Sequence, residues 1–113
     1  MLTSLALALA LACLLPAGAK LSGHPRMRTS ASHFGIAWQQ YRLIGVAELS
    51  AAAGLLAGLA WRPIGLAAGL CLAGLLLGAV VTHLRAGDRG RELTPALFVL
   101  AMDAAYLTAA LTA

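Results

Sequence analysis

The chain has 113 residues, 61% of them hydrophobic and 11% charged, with a net charge of +4. Water-soluble domains carry roughly 25% charged residues, and so short a chain cannot hide this much apolar surface in a core of its own. The composition therefore argues against a soluble globular domain. The bases sit in short gaps between apolar runs rather than along a stripe, which argues against a nucleic-acid-binding surface and for a lipid bilayer as the solvent.

Four apolar segments follow in chain order, at about 1–19, 35–60, 63–84 and 95–111. Each is near the ~20 residues that cross ~30 Å of hydrocarbon as a helix. Helices are expected because lipid offers no hydrogen bonds to an open backbone. The segments are apolar nearly all round, as spanning helices are. In the first, Ala17-Gly18-Ala19 after Pro16 resembles a signal-peptide cleavage site. No basic residue precedes the run, however, and its length suits a span, so it is read as helix one. Pro63 after Trp61-Arg62 marks a tight turn into helix three, and Pro95 suits the first turn of helix four. The predicted fold class is all-α, a four-transmembrane-helix bundle forming a single domain over residues 1–113.

Four spans put both termini on one side and gaps one and three on the other. Lys20, Arg26, Arg28, Arg42, Arg85, Arg89 and Arg91 belong to the gap side, and Arg62 to the terminal side. The positive-inside rule then places gaps one and three in the cytoplasm and both termini outward. Trp38 and Tyr41 suit the inner interface and Trp61 the outer one. His24 and His33 flank the basic first gap and are expected to be solvated. Small-xxx-small pairs recur at Gly54/Gly58, Gly65/Gly69 and Gly74/Gly78, which favours close helix contacts. The exposed small-residue faces of helix three also make a homodimer an expected partner arrangement. Cys13 and Cys71 form neither a CxxC pair nor a zinc spacing, and are read as packing thiols unless their helices bring them together.

The ionisable residues inside the spans carry the functional expectation, because such groups usually face a bundle interior or a cavity. Glu48 lies seven residues beyond Tyr41, ~10 Å along the axis, and Asp103 eight beyond Pro95, ~12 Å. His83 ends helix three near the same side. Arg42, Glu48, His83 and Asp103 thus form a predicted polar cluster from three helices, in which Arg42 sets the charge state of Glu48 and His83; six positions from Arg42 on one helix, Glu48 is expected to find its direct partner on another helix. The alternative for Glu48 is a buried polar contact that fixes helix register, and for Asp103 a bond to Tyr106 or a facing hydroxyl. No HxxxH or paired-carboxylate spacing points to a metal, and no phosphate loop, nucleophile elbow or dinucleotide fingerprint is present.

The order Lys20-Leu-Ser-Gly-His-Pro-Arg-Met27, Arg42-Leu-Ile-Gly-Val-Ala-Glu-Leu49, Pro63-Ile-Gly65, and Gly78-Ala79 leading to His83-Leu-Arg-Ala-Gly-Asp88 resembles the DoxX-like membrane proteins over nearly the whole chain. The Arg-x-Ile-Gly-x-x-Glu-Leu and His-x-Arg-x-Gly-Asp stretches are its more specific parts. The resemblance implies a compact four-helix membrane bundle with Lys20, Pro25, Arg42, Gly45, Glu48, His83, Arg85 and Asp88 at the motif positions. The family takes its name from a subunit of a thiosulfate:quinone oxidoreductase, and other relatives act as membrane chaperones or cargo receptors. The expectation is a multi-pass protein of the bacterial inner membrane, part of an oxidoreductase system, handling a quinone or other lipophilic small molecule with a redox protein partner. No cofactor is evident beyond that quinone. Glu48, His83 and Asp103 are the candidate catalytic residues; Tyr41, Arg42, Lys20, Arg85 and Asp88 are the candidate substrate-binding ones. The alternatives are a cofactor-free enzyme performing acid–base isomerisation or cyclisation with Glu48 and Asp103, and a non-catalytic scaffold or chaperone.

Overall fold

A computed structural model describes residues 2–112, so the expected start of helix one at Met1 lies outside the described residues. The described chain is all-α: α1 (Leu2–Ser22), α2 (Pro25–Phe34), α3 (Trp38–Ala57), α4 (Arg62–Arg85) and α5 (Thr94–Thr112), with a 3-10 turn at Gly90–Glu92 before α5. The four long elements match the four apolar segments, with shifted ends. α1 runs through Pro16 and the small-residue triplet to Ser22, so Lys20 belongs to the helix and not to the first gap. A proline inside an apolar span is tolerated where neighbouring groups satisfy the freed carbonyl. α3 begins three residues later and ends three residues earlier than the 35–60 expected from hydropathy.

The first gap is not a loop but holds α2. Gly23, at φ +77°, stops α1. The His24 ring then accepts a hydrogen bond from the Arg26 N–H at 3.1 Å, and Pro25 occupies the first turn, where its missing N–H is harmless. Gly35, at φ +68°, closes the helix in the left-handed conformation, with its N–H returned to Ser32. Met27, Ala31 and Phe34 share the inward face, while Arg26, Arg28 and Thr29 are exposed.

α1 packs against α3 and α5, and α4 against the same two helices. The contacts run antiparallel. Gly45 of α3 meets Lys20 and Leu21 of α1; Gly54 of α3 and Gly58, its C-cap, meet Ala68 and Gly65 of α4; Gly65 and Gly69 of α4 meet Tyr106 and Leu107 of α5. The Gly54/Gly58 and Gly65/Gly69 pairs are therefore consumed by contacts inside the chain, the two faces of the α3–α4 and α4–α5 seams. Gly74 and Gly78 have no neighbour within 4 Å of where a Cβ would stand. The antiparallel course brings α2 and the 86–93 segment to one end and the 58–61 turn to the other. His33 of α2 and Asp88 join across that first end at 2.8 Å.

The interior is made largely of alanines with Leu9, Leu55, Leu72, Cys13 and Tyr106. Large side chains such as Leu11, Leu15, Leu43, Leu70, Leu77, Phe98 and Leu111 point outward, while Lys20 and Asp103 are buried. This inverted distribution suits lipid, where association comes from close packing of small residues and buried polar groups rather than from water exclusion. α1, α4 and α5 are long and apolar enough to cross a bilayer. α3 is 20 residues long but carries Gln39, Gln40, Arg42 and Glu48.

Candidate functional site

The polar residues predicted to form one cluster fall into three places. In the first, Lys20 of α1 and Glu48 of α3 form a close ion pair, Nζ donating to Oε1. Gly45, one turn before Glu48, makes it fit: a Cβ there would stand 3.0 Å from Lys20 Cβ. The Lys20 ammonium also lies 5.1 Å from the centroid of the Tyr41 ring, a cation–π contact. Tyr41 is thus buried, not an interfacial anchor, and its hydroxyl faces Met27 Sδ of α2 at 3.9 Å. Arg42, expected to set the charge of Glu48, is exposed and reaches the Leu21 carbonyl at 3.4 Å. Arg42 and Glu48 lie six positions apart on one helix, about 120° apart in rotation. The base that meets Glu48 is therefore Lys20.

The second place is the end of α4. The helix closes in a Schellman motif: Gly87, at φ +87°, sends its N–H to the Leu84 carbonyl at 3.1 Å, and Asp88 sends its N–H to the His83 carbonyl at 2.9 Å. That motif returns the Asp88 side chain over His83, where an apolar contact is customary. Here the contact is polar. His83 Nδ1 meets Asp88 Oδ2 at 2.7 Å, while His33 Nε2 meets Oδ1 at 2.8 Å. His33, expected to be solvated, thereby ties α2 to the end of α4. Phe34, its neighbour, sets an edge against the His83 ring with centroids 4.8 Å apart. Arg85 is exposed beside this cap.

The two imidazoles, His83 first and His33 second, hold the Asp88 carboxyl below its ordinary value of 3.8. A carboxyl whose folded value is depressed contributes stability that is complete above its unfolded value and is lost as pH falls through the folded one. Protection of the 25–34 amides, measured against their intrinsic exchange rates, is accordingly expected to hold above the ordinary carboxyl value of 3.8 and to fall on acidification below it. Protection that does not change on that acid side contradicts the role of this tie.

The third place is Asp103. It is fully buried on α5, and neither carboxyl oxygen has a hydrogen-bond partner among the described residues. It faces α4 at Gly69, where a Cβ would lie 3.4 Å from Oδ1, and it makes no bond to Tyr106. Tyr106 directs its hydroxyl instead into the space left by Gly65.

A cavity of about 320 Å³ lies between the first two places. Phe34 and Ile36 of α2 and its following turn, Tyr41 and Ile44 of α3, and Leu75, Gly78 and Ala79 of α4 supply the walls. Lys20, Thr82 and His83 supply the polar lining. The volume is in the range of ligand cavities, roughly 300–1,000 Å³. Gly74 and Gly78 also line it, and neither has a neighbour within 4 Å of where a Cβ would stand. The thiols do not contribute. Both are free, Cys13 in the core and Cys71 exposed on α4.

Sequence reasoning missed the Lys20–Glu48 pair and the His33–Asp88 bond. The apolar run ends before Lys20, so hydropathy alone places that residue in the gap, and α2 carries no long apolar stretch to reveal itself. Gly87 followed by Asp88 was the readable sign of the α4 cap.

The sequence model of the DoxX-like family matches residues 4–106. No curated protein and no solved structure matches the chain. The family match and the apolar helices together make this a multi-pass membrane protein.

Proposed function

The chain belongs to the DoxX-like family, and from that premise we propose that it is the membrane component of an oxidoreductase system whose cavity receives the head of a quinone or a comparable lipophilic molecule. All four long helices span the bacterial inner membrane in this reading, as a four-helix bundle with α2 lying at the cytoplasmic interface. α3 qualifies because its acid is turned inward onto Lys20, while Leu43, Val46, Leu49 and Leu56 face lipid. Arg26, Arg28, Arg42, Arg85, Arg89 and Arg91 gather toward the α2 end and Arg62 starts α4 at the other, which supports a cytoplasmic α2 and outward termini.

The observation that carries the reading is the cavity itself, with apolar walls and polar groups at Lys20 and His83. Such a lining suits a flat apolar ring bearing oxygens at opposite ends: Lys20 donates to one, and the other, as a quinol hydroxyl, donates to His83. Conversion of a quinol to its quinone releases two electrons and two protons. A redox protein partner takes the electrons, and this chain takes the protons through His83 and the Lys20–Glu48 pair. Asp103 stands apart from the cavity lining, which disfavours the acid–base alternative that requires Glu48 and Asp103 on one substrate.

The test is binding of a short-chain ubiquinone analogue to the purified protein in lipid nanodiscs. Gly78→Leu fills the cavity from a position where a Cβ meets nothing. It is expected to weaken binding at least tenfold with little change in thermal stability. Equal affinity in the two proteins, or no binding by the wild type, refutes the reading.

A further inference from the structure

We propose that Asp88 is a positioning residue that fixes the tautomer of His83 and so presents a bare ring nitrogen, Nε2, to the cavity as a proton acceptor. The inference rests on the cavity being the binding site and adds to it the direction of proton transfer at that site.

Three observations carry it. The Schellman cap places Asp88 over His83 by backbone geometry alone, through the Asp88 N–H to His83 carbonyl bond of 2.9 Å and the left-handed Gly87. The side-chain contact is 2.7 Å and engages Nδ1. A carboxylate only accepts hydrogen bonds, so the neutral ring bonded to it carries its proton on Nδ1, and its lone pair is on Nε2. His83 is also part of the cavity lining, with Phe34 packed edge-on against its ring.

The groups facing Asp88 agree with this assignment. From α4 it meets His83 and from α2 His33, both by hydrogen bonds. From its own segment, the Arg89 guanidinium turns to the Asp88 and Leu84 carbonyls and leaves the carboxylate to the two rings. Both carboxylate oxygens are therefore engaged by imidazole N–H groups. A proton passed from a bound quinol hydroxyl to His83 Nε2 leaves an imidazolium beside a carboxylate already in place, and the quinol becomes its anion. One O–H bond breaks, one N–H bond forms, and the charges of the new ion pair are held at the cavity wall. His33 gives the carboxylate its second anchor and joins that anchor to α2.

The experiment is nitrogen-15 NMR of the full chain, labelled at histidine, in lipid nanodiscs at pH 9 with no ligand present. The expected wild-type signal for His83 is a neutral ring protonated on Nδ1. Asp88→Ala is expected to reduce the Nδ1–H population at least threefold, a change that a purely structural contact does not specify. His33→Phe is expected to keep that tautomer but to speed amide exchange in α2 about tenfold. A wild-type His83 protonated on Nε2 overturns the proposal outright and needs no variant to be folded. An unchanged tautomer in Asp88→Ala overturns it as well. Because no quinone enters this measurement, its failure is separate from a failure to bind the quinone analogue.

Discussion

Replacing Glu48 with leucine is expected to lower the unfolding free energy by about 3–5 kcal/mol, the range for removing one partner of a buried ion pair. Lys20, in the last turn of α1, is 8% exposed, so its ammonium, once unpaired, stays largely out of water with no carboxylate to meet it. The neighbouring Tyr41 ring already contributes its cation–π contact, about 2 kcal/mol when desolvated, in the wild type and gains nothing when Glu48 is lost. Lys20→Met alone leaves a carboxylate stranded in α3 and is expected to be similarly damaging. The double variant Lys20→Met, Glu48→Leu removes both charges and is expected to regain most of the stability, since replacing a buried pair by apolar groups of similar volume is often neutral or better. Reversible unfolding in detergent checks all three proteins. Additive losses in the double variant would mean that the two side chains do not act as a pair. If the double variant is stable yet no longer binds the quinone analogue, the pair serves the site; if it binds unchanged, the pair only sets the register of α1 on α3.

The long helices were legible because a bilayer imposes a length and a composition on any helix that crosses it, and α1, α4 and α5 meet that demand in their own residues. α2 was not legible by the same means. Its helix is declared by its ends, His24-Pro25 and Gly35, rather than by an apolar run, and its inward face is only Met27, Ala31 and Phe34. The site divides along the same line. Glu48 was conspicuous as an acid among small residues, but which base it meets is decided by the packing of α1 on α3. Lys20 lies beyond the apolar run in sequence, and only the close approach of α1 to α3 at Gly45 brings it to Glu48. The His83–Asp88 contact was encoded locally, since Gly87 in a helix-ending position fixes what its neighbours on either side must do. The similar depth expected for Glu48 and Asp103 said nothing about direction: one turns to α1 and the other to α4. Among the described residues neither carboxyl oxygen of Asp103 has a hydrogen-bond partner.

The α3–α4 seam, which sets the spacing of the cavity walls, leads to the second large effect. Gly58→Ala is expected to destabilise the protein by about 3 kcal/mol, at the upper end of the range for overpacking. A methyl group at Gly58 overlaps the Cα of Gly65 and sits 2.9 Å from its nitrogen, and both are backbone atoms that no rotamer change can move. Gly65 is hemmed in equally: a Cβ there would meet Gly58 Cα at 3.0 Å and overlap the Tyr106 hydroxyl. Relief requires α4 to move away from α3, and Ile44 and Leu75, on opposite walls of the cavity, then separate as well. Gly74→Ala provides the contrast. The same methyl group at Gly74 meets nothing within 4 Å, and alanine is favoured over glycine inside a helix by roughly 0.5–1 kcal/mol. One substitution type on one helix pair is thus expected to give opposite signs, a loss at Gly58 and a small gain at Gly74. Thermal unfolding of the two variants reads the difference directly. Equal effects at the two glycines would show that α3 and α4 do not meet at the Gly58–Gly65 crossing, and with it would go the spacing that holds the cavity open.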